Sequence, residues 1–493
     1  MVWIEEYKRK LVSAEEAVKV VKSGDRVVIP ISVTLEDLHE ALGARKDELR
    51  GVEILQGAAG VFYPWYQPAY EEAFITNCAT YAGPIPRQLI WDRKADFTPA
   101  AYSFAHKDVD EGRPGVIESD VLMIELSPPD KHGFCSFGDA IFEKKDYVKR
   151  AKKVVAEVND HLIRTYGDNF VHVSEIDYFV EATPHDPTPE ELEQVYAAIP
   201  PPNREIIRGL FEELRSPGYA IWKARDIWPI FPSDYLARTI LAAGEIPAHC
   251  YGIAHYLSPL INDGDTIQIG AGNTSNPLLK AGLFDSKHDL GLHTEAAPPG
   301  TVTLVKEGVF TGKYKTIHQG KAVATSFWPS VGWRGAEKEF LNNNPLFEMY
   351  SVSYTDNPKV CAAHDNFVAI NNALYVDLTG QIASETIPGF LLWNGPGGQL
   401  DMHIGALLSK GGRAVTVLPS TAVGGSVSRI VPLLEEGIMV TIPRCYADFI
   451  VTEYGVASLM GKSQRQRAEE LIVIAHPDFR AELRKEAQRL FGP

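Results

Sequence analysis

Glu295 is the residue of this sequence whose type and surroundings could most directly perform covalent chemistry. It ends a short run that begins at Gly291, and the small residues 296–300 follow it. A carboxylate with small neighbours leaves room for a substrate, and it can attack a thioester carbonyl to give a mixed anhydride. Its reference pKa of about 4.3 predicts that it is ionised near neutral pH. An arbitrary glutamate is more often a surface or helix-capping acid, so these residues alone leave both interpretations open.

A first glycine segment follows an apolar run at 266–269. Its residues are Gly270, Ala271, Gly272, Asn273 and Thr274. Glycines let a backbone approach a ligand closely, and free amides at a helix start favour phosphate or an oxyanion. Ser275 stands where a dinucleotide-binding fingerprint would have its third glycine, which excludes that motif. A plain strand-to-helix turn is equally compatible with these residues.

A second glycine segment follows Trp393, and its candidate residues are Asn394, Gly395, Gly397 and Gly398. Three glycines in four positions expose backbone N–H groups that could stabilise the oxyanion of a tetrahedral intermediate. The loss of one such donor costs roughly 3 to 4 kcal/mol in a well-studied hydrolase. A tight turn before a helix is the alternative interpretation.

Composition excludes several classes of function. The formal net charge of −16 disfavours binding to nucleic acid or to an anionic membrane, since both require a basic surface. Five widely spaced cysteines without a CxxC pair indicate neither a disulfide framework nor a zinc site, which favours a cytoplasmic protein. No signal peptide or membrane span is predicted. The histidines lack metal-ligand spacing, so no metal site is predicted and they are interpreted as packing or polar-contact residues: His132, His293, His403 and His476.

The elements that must position these segments alternate between helix and strand. Helices are predicted at 35–42 and 235–243, and strands at 27–31, 52–55, 121–126, 154–158, 266–269, 374–378 and 414–418. Such alternation predicts open α/β sheets. A proline-rich stretch at 183–203 predicts a boundary between an N-terminal domain, 1–203, and a C-terminal domain, 204–493. We expect the active site between these two domains.

Ordered motifs along most of the chain resemble those of the acetyl-CoA hydrolase/transferase family. They lie at 127–138 (SPPDKHGFCSFG), 156–159 (AEVN), 164–168 (RTYGD), 376–381 (VDLTGQ), 384–385 (SE), 395–401 (GPGGQLD), 428–432 (SRIVP), 451–457 (VTEYGVA) and 475–480 (AHPDFR). The resemblance implies tandem α/β domains of the CoA-transferase (NagB/RpiA-like) kind. It also implies that Glu295, in its His-Thr-Glu motif, is the catalytic glutamate.

The same resemblance implies that the first glycine segment lines a coenzyme A site and that the second contacts coenzyme A and forms an oxyanion hole. It implies a CoA-transferase that acts on an acyl-CoA and a free carboxylic acid through a glutamyl-CoA thioester, with coenzyme A as substrate and no tightly bound cofactor. A homodimer or larger assembly is implied as well. An acyl-CoA hydrolase on the same scaffold and a non-catalytic CoA-binding protein are the alternatives. Ala296, Ala297, Pro298 and Pro299 depart from the Met and acidic turn of many relatives, which bears on the acyl group accepted.

Overall fold

The structure, a computed structural model, describes residues 2–33, 35, 37–57, 63–160, 162–183, 190, 193, 197, 246–327 and 335–492. Its described residues form two compact units. The first unit takes its residues from 1–100, 104–244 and 329–353, and the second from 101–103, 245–328 and 354–493. The predicted boundary at 203 and the predicted helix at 235–243 lie outside the described residues, and both stay predictions.

The first unit is built on a parallel sheet of seven strands: β1 (Arg26–Ile29), β2 (Val52–Gln56), β3 (Phe74–Ala79), β4 (Ala95–Thr98), β5 (Val121–Leu126), β6 (Lys153–Val158) and β7 (Tyr178–Glu181). Their spatial order is β7-β6-β5-β1-β2-β3-β4. Every residue of β5 is buried, as expected of a parallel strand that is covered on both faces.

Helices and short strands complete the first unit. The helices are Val2–Lys10, Ala14–Ala17, Leu38–Ala44, Pro84–Trp91, Lys107–Asp110, Lys144–Val148 and Gly335–Leu341. The short strand Phe134–Ser136 pairs antiparallel with Phe170–His172, and Tyr166–Gly167 pairs parallel with Phe347–Met349.

The second unit repeats the same plan. Its strands are β8 (Thr266–Ile269), β9 (Gly291–Ala297), β10 (Ala322–Phe327), β11 (Phe367–Asn372), β12 (Arg413–Val417), β13 (Phe449–Thr452) and β14 (Gly455–Ser458). They lie in the order β14-β13-β12-β11-β8-β9-β10, and only the last pair, β13 and β14, is antiparallel among these seven strands. The helices of this unit are Ala248–Leu257, Ser275–Lys280, Thr301–Lys306, Pro358–Ala362, Gln399–Leu408, Gln464–Ile474 and Pro477–Phe491, and Val352–Thr355 runs across the division between the units. Short strand pairs and triplets lie at Tyr375–Asp377, Ile382–Ala383, Thr386–Ile387, Leu391–Leu392, Thr421–Ala422, Val427–Ser428 and Ile430–Val431.

Each sheet reverses its direction of growth once. In the first unit the chain lays down β1 to β4 on one side and then returns to place β5 beside β1. In the second unit β8 to β10 extend one way, and β11 then pairs with the other side of β8. Ligands of open α/β sheets bind beyond the carboxyl ends of the strands at such a reversal. In the second unit, the fold therefore predicts a ligand site beyond the carboxyl ends of β8 and β11.

The predicted α/β class with two similar open sheets is confirmed. The strands at 121–126 and 266–269 have the predicted bounds. The strand predicted at 374–378 is instead the short Tyr375–Asp377, which belongs to a separate three-stranded sheet, while the core strand at this point is β11, just before it. Among the described helices, none is long and apolar enough to cross a bilayer.

Candidate active site

Glu295 lies near the carboxyl end of β9, which is paired with β8 on one side and β10 on the other. Because Thr266 of β8 pairs with Gly291 of β9, Glu295 extends past the last residue of β8. The hydroxyl of Thr294 fixes this register, since its Oγ1 donates to the Ile269 carbonyl over 3.1 Å. Glu295 is only partly buried, whereas the other residues of β9 are buried. The strand continues through Ala297, so the first two of the small residues 296–300 still belong to β9.

Gly398 holds the Glu295 carboxylate. Its N–H donates to Oε2 of Glu295 over 2.9 Å. Gly398 immediately precedes the ten-residue helix Gln399–Leu408, so the amide belongs to a helix start, which favours a negative charge. A Cβ on Gly398 would lie 1.9 Å from Oδ2 of Asp356 and 2.4 Å from Oε2 of Glu295. Only glycine therefore lets the backbone approach these two carboxyl groups.

Three carboxyl groups cluster at this point: Glu295, Asp356 and Asp401. Asp356 is buried, and its Oδ2 lies beside Oε2 of Glu295, because both atoms crowd the position of a Cβ on Gly398. A hydrogen bond between the two carboxyl groups requires that one of them carries a proton. Asp401 lies in the first turn of the Gln399–Leu408 helix and accepts hydrogen bonds from the Ser103 N–H and hydroxyl over 3.0 and 2.8 Å. Burial raises the pKa of Asp401.

Burial raises the pKa of Glu295 to about 7, although the hydrogen bonds with Asp356 and the Gly398 N–H oppose this shift. This pKa is higher than the reference value from which ionisation near neutral pH was expected. The physical reason is that the carboxyl loses water on folding, and Asp401 adds a negative charge nearby. Near neutral pH, Glu295 is therefore present in both its protonated and its ionised form.

The histidines near the cluster are neutral packing groups, as the sequence predicts. His293 is fully buried, packs on His364 with ring centroids 4.7 Å apart, and donates from Nε2 to the Thr355 carbonyl over 2.8 Å. Burial lowers its pKa to about 3. His403 likewise donates to the Tyr446 carbonyl, and burial lowers its pKa to about 4. Proton exchange at the site is thus left to the carboxyl groups.

The first glycine segment lies at the end of β8, at the reversal of the second sheet. A Cβ on Gly270 would meet Oδ1 of Asn371 at 2.4 Å, and one on Gly272 would meet Nδ2 of Asn372 at 2.4 Å. Both asparagines end β11. Close contact with the neighbouring strand is therefore why glycine is needed at these two positions.

Asn372 links the two glycine segments. Its Oδ1 accepts from the Ser275 N–H over 3.0 Å, and its Nδ2 donates to Oγ of Ser275 over 2.9 Å. Its carbonyl accepts from Nε2 of Gln399, the residue after Gly398, over 3.0 Å. The structure thus brings together the predicted segments, although Thr274 and Asn394, their nearest ends, are 120 positions apart in sequence.

Several amides of these segments remain available. Within the described part of the chain, the N–H groups of Ala271, Asn273, Gly395 and Gly397 have no intramolecular acceptor. Ala271 and Asn273 are also exposed. Thr274 is buried, and its carbonyl accepts from the Cys250 thiol. Asn394 begins the second segment, where its N–H donates to the Glu385 carbonyl over 3.1 Å. Free backbone amides in both glycine segments suit an anionic or carbonyl-bearing ligand.

Two other carboxylates in family-like motifs have partners of their own. Glu385 accepts from the Thr441 hydroxyl over 2.9 Å, and Glu453 accepts from the Ser420 N–H over 2.9 Å. These contacts are consistent with a structural or pocket role for both residues. Glu295 differs from them because its partners are Gly398 and a second carboxyl group.

Sequence reasoning did not find Asp356, Asp401 or Asn372. Asp356 precedes Asn357, whose side chain caps the Pro358–Ala362 helix. The Asn-Pro pair is typical of a helix start, so the sequence gives Asp356 no separate functional signal. The Asn371-Asn372 pair at the end of an apolar run was a usable signal, because two amides at the end of a buried strand need specific partners.

Comparison with known proteins identifies two matched regions. Residues 1–189 match the acetyl-CoA hydrolase/transferase N-terminal domain, and residues 337–487 match the acetyl-CoA hydrolase/transferase C-terminal domain. The chain is 38% identical to the 4-hydroxybutyrate coenzyme A transferase of Clostridium kluyveri, with all of both chains covered. It is 36% identical to the succinyl-CoA:cyclohexane-1-carboxylate CoA transferase of Geobacter metallireducens, which covers 98% of this chain and 96% of the relative.

More distant relatives include an acetyl-CoA hydrolase from Candida glabrata, which is 26% identical over 73% of this chain and 64% of its own. Among solved structures, RipA from Yersinia pestis matches all of both chains with a TM-score of 0.78 and 27% identity. The 4-hydroxybutyrate CoA-transferase of Porphyromonas gingivalis matches 99% of both chains with a TM-score of 0.67 and 28% identity.

Proposed function

Because the chain belongs to the acetyl-CoA hydrolase/transferase family, we propose that it transfers coenzyme A from an acyl-CoA to a free carboxylic acid, with Glu295 as the nucleophile. The observation that carries the proposal is the placement of the Glu295 carboxyl. It lies at the carboxyl edge of the sheet, held by the Gly398 amide and close to two glycine segments with free amides. The relatives named as CoA-transferases support the reaction class.

The proposed reaction is a double displacement. The Glu295 carboxylate attacks the thioester carbonyl to give a tetrahedral intermediate, which expels coenzyme A as a thiolate and becomes a mixed anhydride of the acyl group and Glu295. The thiolate then attacks the glutamyl carbonyl, which releases the first acid and forms a glutamyl-CoA thioester. The second acid reverses these steps and leaves as a new acyl-CoA. Each step uses only Glu295 and substrate groups, so coenzyme A enters as a substrate and no tightly bound cofactor is proposed.

We propose that coenzyme A lies along the two glycine segments. Gly270, Ala271, Gly272, Asn273 and Thr274 form one side of the site, and Asn394, Gly395, Gly397 and Gly398 form the other. The free amides of Ala271 and Asn273 suit the phosphate groups. The amides of Gly395 and Gly397 lie near Gly398 along the chain and suit an oxyanion.

Replacement of Gly272 by alanine tests this placement. The added Cβ would displace the Asn372 amide, and with it the hydrogen bonds that fix Ser275. We expect the KM for acyl-CoA to rise about 10-fold, the value for the loss of one or two hydrogen bonds. A Gly308→Ala variant is the control, since a Cβ there meets open space at φ +81° and only strains the backbone. An unchanged KM in Gly272→Ala would contradict the placement.

The pH dependence of kcat/KM provides a second test. Burial raises the pKa of Glu295 to about 7, and only the ionised carboxylate attacks a thioester. Activity should therefore fall about tenfold per pH unit below pH 7 and level off above it. An acid limb near the reference pKa of about 4.3 would show that Glu295 is not the group that must ionise.

Hydrolysis of acyl-CoA is the second candidate function, since a distant relative is named an acetyl-CoA hydrolase and Glu295 keeps part of its surface open to water. Free thiol release from one acyl-CoA, measured with and without a carboxylic acid, separates the two. A transferase shows a new thioester by mass spectrometry when the acid is present and little net thiol release without it. Thiol release that is independent of the acid would favour the hydrolase.

A further inference from the structure

We infer that Asp356 is a positioning residue: its protonated carboxyl donates a hydrogen bond to the ionised carboxylate of Glu295 and holds it for attack. This inference rests on the proposed role of Glu295 as nucleophile. It adds Asp356 to the site as a second carboxyl group, which stays protonated at the pH of catalysis while Glu295 is ionised.

The geometry sets Asp356 directly against the nucleophile. Its side chain is fully buried, and neither of its oxygens receives an N–H or O–H donor from the part of the chain that the structure describes. Its Oδ2 and the Oε2 of Glu295 both crowd one side of the Gly398 Cα, at 1.9 and 2.4 Å from the position of a Cβ there. A buried carboxylate without donors is unfavourable, whereas a carboxylic acid with an anionic acceptor beside it is satisfied.

The groups around the pair favour one shared proton. The negative charge of Asp401, on the Gln399–Leu408 helix, disfavours ionisation of both Glu295 and Asp356. Cys361, on the helix that follows Asp356, is a buried thiol, and burial raises its pKa well above the ordinary value. His293, on β9, is neutral because burial lowers its pKa to about 3. Neither Asp401, Cys361 nor His293 supplies a positive charge. Ionised Asp356 and Glu295 carboxylates would therefore repel each other.

The proton belongs on Asp356 rather than Glu295. The Gly398 N–H stabilises a negative charge on Glu295, and Asp356 has no such donor among the described residues. Burial and the Glu295 charge raise the pKa of Asp356 well above its ordinary value. The same hydrogen bond lowers the pKa of Glu295, so a protonated Asp356 helps Glu295 to ionise.

Two substitutions of Asp356 separate this role from a purely electrostatic one. Asp356→Asn keeps a neutral donor of nearly the same shape, whereas Asp356→Ala removes the donor. We expect Asp356→Ala to move the acid limb of kcat/KM up by about one pH unit and to lower activity at pH 8 by about 10- to 100-fold. Asp356→Asn should show a smaller loss and an acid limb close to that of the wild type.

An ionised Asp356 predicts a shift of the acid limb of kcat/KM in the opposite direction. If Asp356 were an ionised carboxylate, both substitutions would remove a repelling charge and move the acid limb to lower pH. Equal losses in the two variants would also overturn the inference, because the donor would then not matter. Thermal unfolding of each variant shows whether a loss of activity is a loss of fold.

Infrared difference spectroscopy gives a readout that does not depend on turnover. A protonated-carboxyl band should be present in the wild type at pH 8 and absent from Asp356→Asn. Its absence from the wild type would overturn the inference. If the band is present but no acyl-CoA is turned over, the proposed function fails while the proton on Asp356 stands.

Discussion

Replacement of Glu295 by glutamine should abolish coenzyme A transfer, with a loss of about 10⁴-fold or more in kcat, the scale for removal of a catalytic nucleophile. An amide cannot form the mixed anhydride, although it nearly keeps the shape of the carboxylate and can still accept a hydrogen bond from the Gly398 N–H. Transfer rates measured with one acyl-CoA and one acid give the result directly. Glu385→Gln is the matched control, because its side chain contacts Thr441 rather than Glu295, and we expect it to keep activity within about 10-fold.

The Glu295→Gln substitution should raise the stability of the protein at pH 8, although it abolishes activity. The folded protein holds a proton on Glu295 up to about pH 7, while the unfolded chain releases it near 4.5, so the folded state loses stability from this group as pH rises through that window. Glu295→Gln removes this effect. Its melting temperature should exceed that of the wild type at pH 8 by a few degrees, roughly, and should match it at pH 4. An inactive variant that melts lower at both pH values would indicate damage to the fold instead.

Replacement of Gly398 by alanine is expected to have the second largest effect. Gly398 has φ −86°, which alanine adopts without strain, so the whole effect comes from the added Cβ. That Cβ would collide with the carboxyls of Asp356 and Glu295 and would move the N–H from the nucleophile. We expect kcat to fall by about 10² to 10³, the range for loss of one preorganised donor at a reacting centre.

The neighbouring glycine provides a matched control for this substitution. Gly397 has φ +53°, and a Cβ there meets no atom within 4 Å among the described residues. Gly397→Ala should therefore lower the melting temperature through backbone strain but reduce kcat far less than Gly398→Ala does. Equal effects of the two variants on kcat would show that the segment tolerates neither change for reasons unrelated to the carboxyls.

Local patterns predicted the framework of the site well. The strand that leads to Gly270 and the run that leads to Glu295 could be read from apolar residues bounded by turns. The second glycine segment was predicted to expose backbone N–H groups, and in the structure the Gly398 N–H donates to Glu295. Family motifs then singled out Glu295 among all glutamates.

The parts that could not be predicted depend on contacts distant in sequence. The pKa of Glu295 is set by burial, and Asp356 and Asp401 modify it from 61 and 106 residues away. β11 was not predicted, and the two asparagines that end it find their partners, Gln268 and Ser275, in another segment of the chain. A local sequence pattern cannot identify a contact partner that lies far away in the sequence and is brought close only by the fold.

Covalent trapping of the intermediate tests the account most directly. The wild-type enzyme is mixed with an acyl-CoA, treated with borohydride or hydroxylamine, digested and mapped by mass spectrometry. We expect the modification on the peptide that contains Glu295, with none in Glu295→Gln. A wild-type enzyme that turns over acyl-CoA without modification of this peptide, or with modification of another residue, would contradict the assignment of Glu295 as the nucleophile.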